Sequence, residues 1–147
     1  MSMKNRICIA GCSHYLREYV RNGLYYLSKD FYTRMLYRNY EVYNLSNKNL
    51  TSKQALVLVR AFLKNTKFDY CLIQLGEGDL EHKISPSDFR YNMKQLIEML
   101  LDCGVTPILD DTIDKPQMKE YQQVITHLKE LYNLKTYSTK KGLLVEA

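Results

Sequence analysis

Four residues near the amino terminus, Gly11-Cys12-Ser13-His14, bring a permissive backbone, a thiol, a hydroxyl and an imidazole together at the end of an apolar run. At a strand-to-helix junction Gly11 allows a tight turn, and Ser13 presents its hydroxyl at a helix start. Free N–H groups there stabilise negative charge, which suits the oxyanion of an acyl transfer. Serine is also a favoured N-cap, so on this tetrapeptide alone the plainer reading of Ser13 is the start of a helix and nothing more. A second stretch, Leu75-Gly76-Glu77-Gly78-Asp79-Leu80, carries two glycines and two carboxylates. Its glycines permit close backbone approach and Asp79 can bond loop N–H groups. The competing reading is an ordinary turn whose acids are hydrated.

A serine hydroxyl is a poor nucleophile at neutral pH without a base. The chain holds three histidines. His14 follows Ser13 directly, and adjacent side chains at a helix start point apart. His127 falls inside a helical pattern. His82 lies on a loop beside the second stretch, which makes it the candidate base, with a solvent-facing imidazole as the alternative. Asp110-Asp111 end a strand-like run, where they could hold a cation, orient a base, or simply cap and be hydrated.

The elements that must position these residues alternate. Arg6–Cys12 is a short apolar run of buried-strand type. His14–Arg38 carries Leu16, Tyr19, Val20, Leu24 and Leu27 at helical spacing, and predicts a helical region broken near Asp30. Tyr40–Leu45 alternates as a second strand. Thr51 and Gln54 have the spacing of a capping box, opening a helix with Ala55, Leu56, Val59, Phe62 and Leu63 on its apolar stripe. Phe68–Leu75 is the third strand. Ser85-Pro86 starts a helix with the stripe Phe89, Met93, Leu96 and Leu100, closed by Gly104. Val105–Leu109 is the fourth strand. Asp114 and Pro116 begin a helix with Met118, Tyr121, Ile125, Leu128 and Leu131 on one face, and Leu134–Thr139 offers a fifth strand. Strands alternating with amphipathic helices imply right-handed crossovers and a parallel sheet covered on both faces. The expectation is one α/β domain over residues 1–147, three layers deep, with five parallel strands in the flavodoxin-like order 2-1-3-4-5. Ligands of such sheets bind beyond the carboxyl ends of the strands, where the order reverses. That rule points to Gly11–His14, Gly76–His82 and Asp110–Thr112.

Composition narrows the class. Hydrophobic content of 46% and charged content of 25% are ordinary globular usage. No apolar run approaches the ~20 residues that span a bilayer, and MSMKNRICIAGCS lacks the pattern of a secretory signal. A cytoplasmic protein with no membrane partner is the default. Cys8, Cys12, Cys71 and Cys103 show no zinc-site spacing and read as reduced thiols, so no metal is expected. The net charge of +5 is mild and its lysines and arginines run along the whole length. Tyrosines and arginines crowd the first third, which suits packing and a protein interface. No RNA-binding motif accompanies them, so nucleic acid is not expected.

Together the two chemical segments resemble the SGNH (GDSL-type) hydrolases, from Arg6 to about Thr112. Gly11-Cys12-Ser13 is similar to the family's G-D-S block, which makes Ser13 the implied nucleophile. Gly76-Glu77-Gly78-Asp79, after DYCLIQL and before a capped helix and G-V-T-P-I-L, resembles the G-x-N-D block. Asn44 to Thr51, leading into Ser52, resembles the segment that holds the family's second oxyanion donor. The glycine usual there falls at Asn49, or at Ser46 if the register slips. The chain departs from the pattern in three ways. Cys12 replaces Asp, Gly78 replaces the Asn that donates to the oxyanion, and no D-x-x-H block closes the sequence: Tyr137 stands where His belongs.

The resemblance implies an esterase for a small acyl or acetyl ester, without a cofactor. Ser13 and His82 would be catalytic, and Gly11, Asn49, Gly76, Gly78 and Asp79 would form the pocket. Two other readings stay open. One is a descendant that binds in the same pocket without catalysis. The other is an unrelated flavodoxin-like domain that holds phosphate or nucleotide at the Gly11–His14 turn. Too few residues follow Thr139 for a covering last helix, so an isologous homodimer is expected to close the face that His14–Arg38 covers.

Overall fold

The computed structural model describes residues 4–12, 18–21, 24–27, 36–110, 115–138 and 143–146; of residues 18–21, 24–27 and 138 the backbone alone is described. Four parallel strands form the central sheet: β1 (Arg6–Gly11), β4 (Glu41–Asn44), β5 (Tyr70–Gln74) and β6 (Thr106–Leu109), in the order β4-β1-β5-β6. Ile7 pairs with Val42 on one side and with Tyr70 on the other, and Tyr70 pairs with Thr106. The order reverses at β1, so the crevice beyond its carboxyl end lies between the β4 and β5 connections.

Both sheet faces are buried, and the sequence alternation shows how. Cys8, Ala10, Cys71 and Ile73 point into one core with Ala55, Val59, Phe89, Met93, Leu96, Leu100, Ile125 and Leu128. These last eight come from α2 (Ser52–Leu63), α4 (Pro86–Asp102) and α5 (Lys119–Leu131). Ile7, Ile9, Leu72 and Ile108 point the other way, onto Leu36 of the described part of α1, residues 36–39, and onto Tyr40. The helix starts follow the sequence signals. Thr51 Oγ1 accepts from Gln54 N–H at 3.2 Å, and Gln54 Oε1 accepts from Thr51 N–H at 2.9 Å, closing the capping box of α2. Ser85 Oγ accepts from Asp88 N–H at 3.1 Å at the start of α4.

Several expectations are corrected. The helical reading of His14–Arg38 fails over its centre, where β2 (Glu18–Arg21) and β3 (Leu24–Leu27) pair antiparallel. The residues are those of a strand, with Tyr19, Val20, Tyr25 and Tyr26 favouring extended backbone. The fifth strand does not join the sheet. Instead β7 (Tyr137–Ser138) pairs antiparallel with β8 (Val145–Glu146), so the parallel sheet has four described strands. A 3₁₀ turn, Pro116–Met118, precedes α5, and Leu131 is exposed rather than part of its buried stripe.

The described elements also show what lies on each face of the sheet. α5 packs on α4, on the face that α2 shares. The opposite face receives the carboxyl-terminal segment: the Tyr137 ring meets Tyr70 edge-on, and Leu144 N–H donates to the Tyr40 hydroxyl at 2.9 Å. Ile7, Ile9, Leu72 and Ile108 are each at most 4% exposed within one chain.

Candidate active site

The turn after β1 is clamped from both sides. Gly11 N–H donates to Ser46 Oγ at 3.1 Å, and Gly11 O accepts from Asn47 N–H at 3.1 Å. Cys12 N–H faces Gln74 O at 3.0 Å and its side-chain Oε1 at 3.3 Å. Cys12 O accepts from Asn49 N–H at 3.1 Å. The loops after β1 and β4 and the end of β5 therefore meet at the carboxyl edge of the sheet, around Cys12. Ser13, His14 and Asp111 lie outside the described residues.

Backbone geometry explains two residue choices. Asn49 has a φ of 59°, the left-handed region that asparagine tolerates better than other side chains. Ser46, the other register, instead accepts the Gly11 bond. Gly78, in the short α3 (Glu77–Glu81), presses directly on the β4–α2 loop. A Cβ there would stand 2.5 Å from Asn49 O and 2.6 Å from its carbonyl carbon, and against Leu50 O. These are backbone atoms, so position 78 excludes every side chain unless the loop moves. Gly76 enters α3 with a φ of 127°, open to glycine alone at low strain.

Asp79 is fully buried and bonds Ser52, through its N–H at 2.8 Å and its Oγ at 2.7 Å. Asn92 Nδ2 donates to the same Ser52 Oγ at 3.1 Å. Burial pushes the Asp79 carboxyl above its ordinary range, while the Ser52 hydroxyl and N–H pull it back and the His82 charge adds a smaller downward effect. His82 itself is exposed and caps α3, its N–H donating to Gly78 O at 3.0 Å. His127 is exposed on α5, with Nδ1 3.2 Å from an Arg90 guanidinium nitrogen.

Cys12 collects the loop donors. Burial raises its thiol pKa; the Gly78 N–H, bonded to the sulfur, opposes this first, the Glu77 carboxylate adds to the rise, and the Glu77 N–H and Gln74 amide pull down. Gln74 Nε2 stands 3.5 Å from Sγ. The Asn49 N–H and the Gly78 N–H, the loop donors expected to face an oxyanion, are thus turned to the Cys12 carbonyl and thiol. Glu77 also pairs with Lys115 Nζ at 3.5 Å.

No protein-family model matches the sequence, and no curated protein matches it. Solved structures do. AlinE4, described as an SGNH-hydrolase family esterase, superposes with a TM-score of 0.75 at 19% identity, over 92% of this chain and 76% of its own. The chain has the SGNH-hydrolase fold. A lipolytic protein of the G-D-S-L family from Desulfitobacterium hafniense DCB-2 gives 0.72 at 19% identity, over 89% and 75%. The psychrotrophic esterase EstA from Pseudoalteromonas sp. gives 0.67 at 18%, over 88% and 74%.

On this SGNH fold, Gly11, Cys12, Asn49, Gly76, Gly78 and Asp79 share one edge of the sheet. Sequence reasoning missed Ser52, Asn92 and Gln74. A polar Gln74 inside the apolar run DYCLIQL was the available signal for the last. Asp110 is half-buried, its N–H bonded to Ile73 O at 2.8 Å. Among the described residues no three His, Cys, Asp or Glu side chains group as a metal site, and no helix is long and apolar enough to cross a membrane.

Proposed function

We propose that this protein is a serine ester hydrolase of low turnover, acting on a small acyl or acetyl ester at the carboxyl edge of its sheet. The observation that carries the reading is the convergence of the loops after β1 and β4 and the end of β5 on Cys12, one peptide bond before Ser13. Ser13 Oγ attacks the ester carbonyl, the alcohol leaves, and water releases the acyl group from the serine. His82 is the candidate to take the Ser13 proton. Turnover is low because Gly78 offers no side-chain amide, a loss that typically costs ~3 kcal/mol of transition-state stabilisation. Two loop N–H groups are already engaged by Cys12 as well. That engagement favours a second reading, a pocket that binds an ester or carboxylate without turning it over.

Hydrolysis of p-nitrophenyl acetate separates the two. Slow release abolished by Ser13→Ala supports the hydrolase, and His82→Ala then tests the base. Release unchanged by Ser13→Ala, or none above buffer, leaves the binding module.

A further inference from the structure

We propose that the outer face of α2 docks this protein onto an anionic lipid bilayer surface, independently of any chemistry at the carboxyl edge. Between Val42 and Phe68 the chain contains Lys48, Lys53, Arg60, Lys64 and Lys67 and no Asp or Glu, five cations in a chain whose whole net charge is +5. Although cations run along the whole sequence, the fold gathers three of these five on one surface. Lys53, Arg60 and Lys64 are exposed on α2 or at its carboxyl cap, and among the described residues none of the five side chains is ion-paired. The acids that flank the segment are engaged elsewhere: Glu41 pairs with Arg6 at 3.0 Å, and Asp69 accepts from Arg6 N–H at 2.8 Å. Asp79 is buried against Ser52.

The same face exposes aliphatic surface. Val57 is 56% and Leu58 37% exposed, one turn on from Lys53 and Gln54, and Ala61 continues the row. Lys48, Leu50, Lys53, Val57 and Leu58 line a groove of about 570 Å³ beside the helix. Branched aliphatics alongside a row of long cationic side chains match the headgroup boundary of an anionic membrane, where the aliphatics enter the apolar side and the cations stay with the phosphates. Protein interfaces enrich aromatics and deplete lysine, the reverse of this face. A nucleic acid would leave Val57 and Leu58 without an apolar partner. Docking of this kind lies on the surface and needs no apolar span.

Flotation with phosphatidylcholine vesicles, with and without phosphatidylglycerol, tests this. Binding is expected only with phosphatidylglycerol at about 0.1 M salt, and release at about 1 M, where the screening length falls to ~3 Å. Lys53→Glu/Arg60→Glu should weaken binding by about tenfold or more. Lys83→Glu/Lys119→Glu, which lowers the net charge equally, should leave most of it. Val57→Ser/Leu58→Ser should weaken it several-fold with no change in charge. All six positions are exposed, and matched thermal melts confirm folding. Absence of binding, equal loss from both reversal pairs, or full binding by Val57→Ser/Leu58→Ser overturns the proposal. Binding to polyglutamate but not to vesicles would mark an acidic protein as the partner and overturn it too.

Discussion

Asp79 receives both hydrogen bonds that Ser52 can donate, from its N–H at 2.8 Å and its hydroxyl at 2.7 Å. Ser52 is the first residue of α2, so a buried carboxylate sits at a helix N-terminus, where the free N–H groups and the helix dipole favour negative charge. Asn92 of α4 donates to the same hydroxyl, so one carboxylate ties α3 to α2 and α4. The tie also holds Gly78 against the Asn49–Leu50 carbonyls, and with them the Gly78 N–H against the Cys12 sulfur.

Removing that carboxylate strands two buried donors. Asp79→Ala should destabilise the fold by about 2–4 kcal/mol, because an unsatisfied buried group costs about 1–3 kcal/mol. Asp79→Asn keeps one acceptor and should cost less. Urea unfolding followed by circular dichroism measures both, and an Asp79→Ala variant as stable as wild type would remove Asp79 from the architecture of the site.

The same group sets a pH dependence. Burial raises the folded-state pKa of Asp79 above its usual 3.8, so the folded chain holds that proton more tightly than the unfolded chain does. Stability is then highest below 3.8 as far as this group is concerned, and falls as pH rises through the raised value. The stability of wild type relative to Asp79→Asn should therefore decline from about pH 4 upward. A gap that widened in favour of wild type over that range would show that the Ser52 bonds outweigh burial.

Position 78 tests the packing of the edge. Gly78→Ala places a Cβ against two carbonyl groups that belong to the backbone, and overpacking of this kind typically costs 1–3 kcal/mol or more. Gly78→Asn, which writes in the amide that the family resemblance implies, should destabilise at least as much and should not raise ester hydrolysis. A gain in turnover by Gly78→Asn would mean that the β4–α2 loop yields.

Legibility in the sequence followed the range of the interaction. Capping boxes, proline at a helix start and a 3.6-residue stripe act within a few residues, and Thr51–Gln54, Ser85-Pro86 and Phe89–Leu100 appear where those signals place them. The pairing of β2 with β3 is not legible from spacing, because Leu16, Tyr19, Val20, Leu24 and Leu27 satisfy helical spacing by coincidence. Ser52–Asp79 and Cys12–Gln74 join residues 27 and 62 positions apart, which one sequence does not announce.

The reciprocal cap of α2 should contribute measurably. Thr51→Ala removes the acceptor for Gln54 N–H at 3.2 Å, and N-cap losses of this kind cost ~1 kcal/mol. Thr51→Ser should retain most of that, and thermal melts of the two variants distinguish a lost cap from a lost methyl contact.

Thiol labelling reads the state of the edge directly. Cys8, Cys12 and Cys71 are buried, Cys103 is exposed at the end of α4, and burial raises the Cys12 thiol while the Cys8 contact and burial raise Cys71. The thiolate is the reactive form, so both exposure and pKa protect the buried thiols. With a chromogenic disulfide reagent near neutral pH, one thiol, Cys103, should react quickly, and Cys103→Ser should remove that phase. The remaining three should react only as the fold opens, at rates that rise with urea. A second fast thiol abolished by Cys12→Ser would show Cys12 reachable by reagent. The Gly78 N–H would then not be sealed against the sulfur, and that loop donor would be available to an oxyanion.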